Sequence, residues 1–379
     1  MIHLRSVAAI AALFTLSAAA QTLPQASSNT PDTRQADQLF AAAHYLRTEP
    51  LVRAALRQNP NDPHSLVLAS EIEWAFYRQD TAVAYAEKAV LLADGSAEAH
   101  TQLTNALGTR LMSTKAGTFE KISLARRFKK EAERALQLNP NEPDALEDLS
   151  QYLWNAPGFV GGDKSHAQQL ADQLFQVDPA RGAGLKASFV EPEKDPPHRF
   201  PAVEALWRKA IATRNSYDAH IGLAEAHIQE ATANLDPAAH LAQAEAEAKV
   251  ALGLEPTRVA AFRQLAVVYA TERRWADLEA LLKHARAAVP DDLAPAYHAA
   301  RIIFEHPDST QLALAEQSLR AYLAQPAEGQ EPTHAAAHWR LALVLERLNR
   351  KPEAIHELQA AVSLDPTLEA ARRDLKRLS

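Results

Sequence analysis

Residues 361–366 read AVSLDP, and residues 284–290 read HARAAVP. In both, an alanine stands five positions before a proline. The same interval recurs from Ala135 to Pro140, Ala251 to Pro256 and Ala321 to Pro326. Pro256 and Pro290 lie 34 residues apart. A fixed period of this size marks stacked helical hairpins, because one such unit cannot bury its apolar face alone and must lean on the next. The fold class expected is therefore all-α, an α-solenoid rather than a single globular core.

Composition agrees. Hydrophobic residues make up 47% of the 379 and aromatic residues only 6%, with alanine carrying much of the apolar share. That suits helices in close contact through small side chains. The formal net charge is −7, so no basic field invites a nucleic-acid backbone. There is no cysteine. Disulfides and a thioether-linked lipid anchor are excluded, and helix packing has to supply the stability.

Along the chain, Met1–Arg5 is a short basic start, Val7–Leu16 is apolar except for Thr15, and Ala18-Ala19-Ala20 precedes Gln21. This reads as a signal peptide over 1–20, too short to span a bilayer comfortably. No second long apolar run follows, so no integral membrane segment is expected after its removal. The localisation expected is exported, in the bacterial periplasm, with secretion as the alternative. Residues 21–35 are polar and aperiodic and read as a disordered leader. Helical repeats are expected over 36–379, in about eight to nine units. Insertions fall at 109–121 and 156–164. Pro192, Pro196, Pro197 and Pro201 argue against a regular helix at 189–201 and mark a hinge there. A helix at 368–378 with Arg372, Arg373, Lys376 and Arg377 on its outer face caps the open end.

Aligned on this period, the units resemble the tetratricopeptide repeat (TPR) family, in the form of an exported bacterial TPR protein. The fourth place holds Leu66, His100, Leu146, His220, Phe262, Tyr297 and His338. The twentieth holds Ala82, Phe128, Ala167, Ala244, Leu278, Leu314 and Ala354, and the twenty-seventh Ala89, Ala135, Leu174, Ala251, Ala285, Ala321 and Ala361. The resemblance implies a right-handed superhelix whose concave face is lined by the first helix of each unit. It also implies that the second, fifth, ninth and twelfth places face that groove. They carry Val67, Glu71 and Trp74; Thr101 and Asn105; Glu147, Gln151 and Trp154; Ile221, Glu225 and Ile228; Arg263 and Val267; His298 and Ile302; and Trp339 and Leu343. From these, Trp74, Glu71, Asn105, Glu147, Gln151, Trp154, Glu225, Arg263, His298 and Trp339 are the candidate partner-binding residues. Trp154 and Trp339 are expected as anchors. Glu71, Glu147 and Glu225 make the face mildly acidic, which favours an extended segment with basic and apolar residues. No unit carries the Lys and Asn pair with which chaperone-binding relatives clamp a terminal carboxylate.

Signals for chemistry do not survive inspection. His100, His220 and His338 share a packing position, so they read as flat side chains between hairpins. His334 and His338 are four apart but lack a third ligand nearby. His356-Glu357-Leu358-Gln359-Ala360 is half a zinc-protease signature with alanine where the second histidine belongs, and Leu358 inward leaves His356 and Glu357 outward. The stretch from Gly158 to Ser165 resembles a phosphate loop, but Asp163 stands where a glycine is needed. No metal, no cofactor and no enzyme activity are expected. The functional expectation is a non-catalytic scaffold that holds a protein or peptide segment in its groove. A glycan or small-ligand binding module is the alternative, and an accessory subunit of an envelope enzyme complex the third reading.

Overall fold

The structure, a computed structural model, describes residues 31–112, 117–190, 196–233, 236–305, 310–329 and 332–379. The signal at 1–20 lies outside the described residues. Nineteen α-helices and no strand occur among the described residues. They pair into nine antiparallel hairpins: α1 (Pro31–Ala41) with α2 (Tyr45–Gln58), α3 (Pro63–Ala75) with α4 (Gln79–Leu92), α5 (Ala97–Met112) with α6 (Thr118–Leu138), and α7 (Pro143–Asn155) with α8 (Lys164–Val177). Next come α9 (Pro179–Ser188) with α10 (Pro196–Thr213), α11 (Tyr217–Thr232) with α12 (Pro237–Leu254), and α13 (Val259–Thr271) with α14 (Trp275–Ala288). The last two are α15 (Ala294–Glu305) with α16 (Leu312–Leu323), and α17 (His334–Arg347) with α18 (Lys351–Leu364); α19 (Glu369–Leu378) ends the stack. Neighbouring helices carry nearly all the packing, which makes this an all-α solenoid.

Local chemistry explains the punctuation. Asn59 Oδ1 accepts from the Asn61 N–H, Asn139 Oδ1 from Asn141, and Asp365 Oδ1 from Thr367. Each of these turns holds a proline in its middle, whose preset φ suits a chain reversal. Some helices then start on a side-chain cap, as at Asp62, Asp178, Ser216 and Thr333, whereas α7 and α19 start without one. Within hairpins the reversal is sharper. Ala43, Tyr77, Arg273 and Asn349 take φ near +60°, and the following N–H reaches back five residues, as from Arg78 to the Glu73 carbonyl. This is the Schellman termination, here without glycine.

Alanines carry the close approach. Ala82, Ala89, Ala135, Ala167, Ala244, Ala251, Ala354 and Ala361 are all essentially inaccessible. One unit departs from the expected alignment. In α16 the buried residues are Ala315 and Tyr322, while Leu314 and Ala321 are only half-buried. The second helix of that hairpin sits one residue out of the assumed register, because the connection before it is longer than the alignment allowed.

Three further expectations change. Residues 31–35 of the supposed leader are helical, since α1 begins at Pro31 and buries Thr33 and Ala36; 21–30 lie outside the described residues. In the supposed hinge, 191–195 lie outside the described residues, but 196–201 belong to α10, with Pro201 inside the helix. A proline pair at a helix start costs little, because the first N–H groups have no intrahelical acceptor. The hairpin is then locked by Trp207: a Cβ on Gly222 would come within 2.2 Å of its ring, and one on Gly184 within 3.2 Å. The third is Glu357, read as outward. Its side chain is 12% exposed, and its Oε2 lies 2.6 Å from His338 Nδ1. The insertion at 156–164 is a turn built on Gly161 at φ +94° and on Gly162, where any Cβ would overlap the Ala156 carbonyl. Of the insertion at 109–121, 113–116 lie outside the described residues.

The curl of the stack closes on itself. The first hairpin meets the two turns that flank the eighth. Arg47 donates twice to Asp291, at 2.7 Å each, and His44 Nδ1 lies 3.0 Å from the same carboxylate. The Leu46 N–H donates to Glu328 Oε1 at 2.8 Å. Burial alone would raise Asp291, but the hydrogen bonds from His44 and Arg47 outweigh it and hold it well below the usual carboxylate range.

Candidate interaction groove

Closure identifies the inner face. Tyr45 on α2 feels the charges of Glu71 on α3, Arg258 before α13, Asp292 before α15 and Glu328 after α16. Residues this far apart in the chain act on one phenol only if they line a common interior.

The expected groove residues divide by what they already touch. Glu71 has no ion-pair partner among the described residues, and its carboxyl is pushed well above the usual range by burial and by Glu98 and Asp144. Asp148, one position after Glu147, shows the same behaviour: burial, Asp144 and Glu147 push it upward more than Arg181 pulls it down, and its Oδ2 is buried without a hydrogen-bond partner. Arg263 likewise has no ion-pair partner among the described residues, and it acts on Asp292 and His298. His298 is held neutral: burial and then Arg263, Arg301 and Arg340 lower it to about 3. Asn105 donates weakly to Gln102 at 3.4 Å, and Glu225 accepts weakly from Gln229 at 3.5 Å. Gln151 is half-buried on α7.

Others are occupied from within. Glu147 Oε2 accepts from Arg181 Nε and Nη2 at 2.9 and 2.7 Å, and Arg181 also pairs with Asp144. Arg181, 9% exposed, is thus held between two carboxylates of the preceding hairpin, and Glu147 is committed to the stack. Trp154 lies flat on Phe189, with centroids 4.2 Å apart and planes at 12°, and Lys164 Nζ stands 4.5 Å from its ring. Trp339 donates Nε1–H to Asp374 of α19 at 2.9 Å, with Arg340 over its ring. Trp74 packs between the clusters formed by the first and second hairpins and by the second and third. The large rings are drawn into contacts with the next element because a flat apolar surface gains most by stacking there. Val67, Ile221 and Val267, also placed on the groove face, are buried.

Sequence reasoning missed Tyr45, Asp148, Asp292 and Glu328. Asp148 and Tyr45 fall outside the positions taken as inward, and the other two lie in turns. Burial lifts Asp292 to about 6 and Glu328 to about 8. The interior is therefore a poorly solvated space edged by carboxyls from several hairpins, with Arg263 among them. No group of three or more metal-ligating side chains occurs among the described residues, and no helix there is long and apolar enough to cross a membrane.

Comparison with known proteins adds the following. The family described as regulator of microtubule dynamics protein 1-3 matches residues 33–152, less than half of the chain. No curated protein matches in sequence. Among solved structures, yeast Tom70 aligns over 92% of this chain and 87% of its own, at 14% identity and a TM-score of 0.47. TTC0263, a thermophilic TPR protein of Thermus thermophilus, aligns over 66% of this chain and 97% of its own, at 14% identity and a TM-score of 0.34. The human IFIT1 dimer with PPP-AAAA aligns over 91% and 78%, at 16% identity and a TM-score of 0.46.

Proposed function

We propose that this helical-repeat chain is a non-catalytic interaction scaffold that holds an extended protein segment, basic and apolar in character, along its inner face. One observation carries the reading: Glu71 on α3 and Asp148 on α7 present carboxyls with no ion-pair partner among the described residues, which burial and neighbouring carboxylates hold above the usual range despite the nearby charges of His64 and Arg181. A guest carrying positive charge restores their ionised form, and the apolar walls supply contact area. The same carboxyls would repel a nucleic-acid backbone. Export to the cell envelope is part of the proposal and rests on Met1–Gln21 alone. The aromatic anchors first expected contribute less than the charges, since Trp154 and Trp339 are engaged within the stack.

The test is fluorescence anisotropy of labelled peptides matched in length and hydropathy but differing in charge. Basic peptides should bind, and the Glu71→Gln, Asp148→Asn double variant should bind them about tenfold more weakly. Equal binding of acidic and basic peptides would refute the reading.

A further inference from the structure

The inner face is not uniform in charge. Its carboxyls Glu71 and Asp148 belong to α3 and α7, in the first half of the stack. In the second half three arginines gather round one histidine. Arg263 on α13, Arg301 on α15 and Arg340 on α17 all bear on the His298 imidazole, which burial and then these charges keep neutral. The repeat explains the gathering. Arg263 and His298 hold the fifth place in successive hairpins, Arg301 lies one turn beyond His298, and Arg340 follows Trp339 at the next fifth place. The helices that carry them pack directly on one another, α13 on α15 and α15 on α17.

Counter-charge is short there. Both Glu305 oxygens accept from Arg301 Nη1 at 3.2 Å, and Arg340 Nη1 stands 3.8 Å from the same carboxylate. Arg340 donates Nε–H to the Tyr297 hydroxyl at 3.0 Å, which orients its fork. Arg263 acts on Asp292, one of the charges that reach Tyr45 in the interior, but Asp292 Oδ1 is committed to the Ala294 N–H at 2.8 Å. A guanidinium has five N–H donors, so most of those in this patch lack an acceptor among the described residues. The patch is also open. The Arg301 and Arg340 side chains are 30% and 18% exposed, and Arg263 and His298 are half-buried. Gathered like charges repel, and an entering carboxylate relieves this while its two oxygens match the planar fork.

We propose that Arg263, Arg301 and Arg340 form an anion-binding patch for an aspartate or glutamate side chain of the docked segment, so that the inner face selects a segment divided in charge, basic against α3 and α7 and acidic against α13, α15 and α17. This rests on the groove reading above and sharpens its choice of partner. A wholly basic segment meets repulsion at the arginines, and a wholly acidic one at the carboxyls.

Calorimetric titration of the full chain tests this with peptides blocked at both ends. One carries arginines in its first part and aspartates in its last, joined by a glycine–serine spacer of graded length; its counterpart has asparagine for each aspartate. At the best spacer length the divided peptide should bind about tenfold more tightly. Arg263→Gln with Arg301→Gln should cut that advantage to about twofold without weakening the asparagine peptide. Circular dichroism establishes folding; should the double variant melt, Arg263→Gln alone decides, since it breaks no ion pair among the described residues. Equal, measurable affinity for the two peptides at every spacer length would overturn the patch and leave the groove reading intact. An advantage undiminished in a folded variant would overturn the patch too. Full affinity of the asparagine peptide once its C-terminus is left free would overturn the assignment to a side chain. Binding of neither peptide would overturn the groove reading and the patch with it.

Discussion

His100 Nδ1 lies 2.7 Å from Glu131 Oε2, joining α5 to α6 inside the third hairpin, with both side chains nearly inaccessible. The same pairing recurs as His220 with Glu247 and His338 with Glu357. Where the fourth place is apolar, it shares a core cluster with an apolar or aromatic residue of the second helix: Leu66 with Tyr85, Leu146 with Leu170 and Phe262 with Leu281. Three of these hairpins are thus clasped by a polar pair and three are packed through apolar or aromatic residues, with His284 also standing edge-on to Phe262.

The first prediction concerns that clasp. His100→Leu leaves the Glu131 carboxyl buried without its partner and should destabilise by about 3 kcal/mol. His100→Leu with Glu131→Leu rebuilds the apolar clasp of the neighbouring hairpins and should recover most of the loss. Urea denaturation of the two singles and the double gives the coupling. Additive losses would show that the pair is two independent residues.

Closure of the stack is the second. Arg47→Ala with Asp291→Ala removes the charged contacts between the first and eighth hairpins while leaving nearest-neighbour packing intact. The chain should stay helical but open, with a larger radius of gyration by small-angle X-ray scattering. An unchanged scattering curve would show that the curl is set wholly by hairpin packing.

The third is a pH dependence. His64 Nε2 and Nδ1 lie 3.0 Å from Asp37 and Glu98, tying α3 to α1 and α5. Burial pulls the imidazole down, but the hydrogen bonds to Asp37 and Glu98 outweigh it and raise it from 6.5 to about 10. Between those values the folded chain binds the extra proton and the unfolded chain does not. The stabilisation is therefore complete below pH 6.5 and is lost as pH rises toward 10. Hydrogen exchange in α1 should quicken from about pH 7 to 9, after correction for intrinsic rates, by more in the native chain than in His64→Phe.

Packing at the fifth hairpin is the fourth. Gly222→Ala puts a methyl into the Trp207 ring and should cost about 1–3 kcal/mol, with Gly184→Ala milder. Trp207→Leu should relieve the Gly222→Ala penalty. Thermal melting of the singles and the pair reads this directly, and no rescue would mean the strain is relieved elsewhere.

Whatever depends on near neighbours is legible in the residues alone. The proline-spaced period announces hairpins, since turn chemistry acts within a few residues. The alanines at Ala82, Ala89, Ala135 and Ala361 announce close helix crossing, and burial agrees. The histidines at the fourth place announce packing between helices, but their glutamate partners, Glu357 among them, emerge only in three dimensions. Long-range relations are settled in three dimensions. Arg47 meeting Asp291 depends on the small rotation from each hairpin to the next, summed over most of a turn, and no local pattern encodes that sum. The inner face inherits the same dependence. Glu147 at the fifth place and Glu71 at the ninth both read as groove carboxylates, yet Arg181 pairs with the first while the second has no ion-pair partner among the described residues, because the arginine arrives from the next hairpin. Tyr45 and Glu328 become neighbours for the same reason: a repeat array fixes each step locally, while its closure is a property of all the steps together.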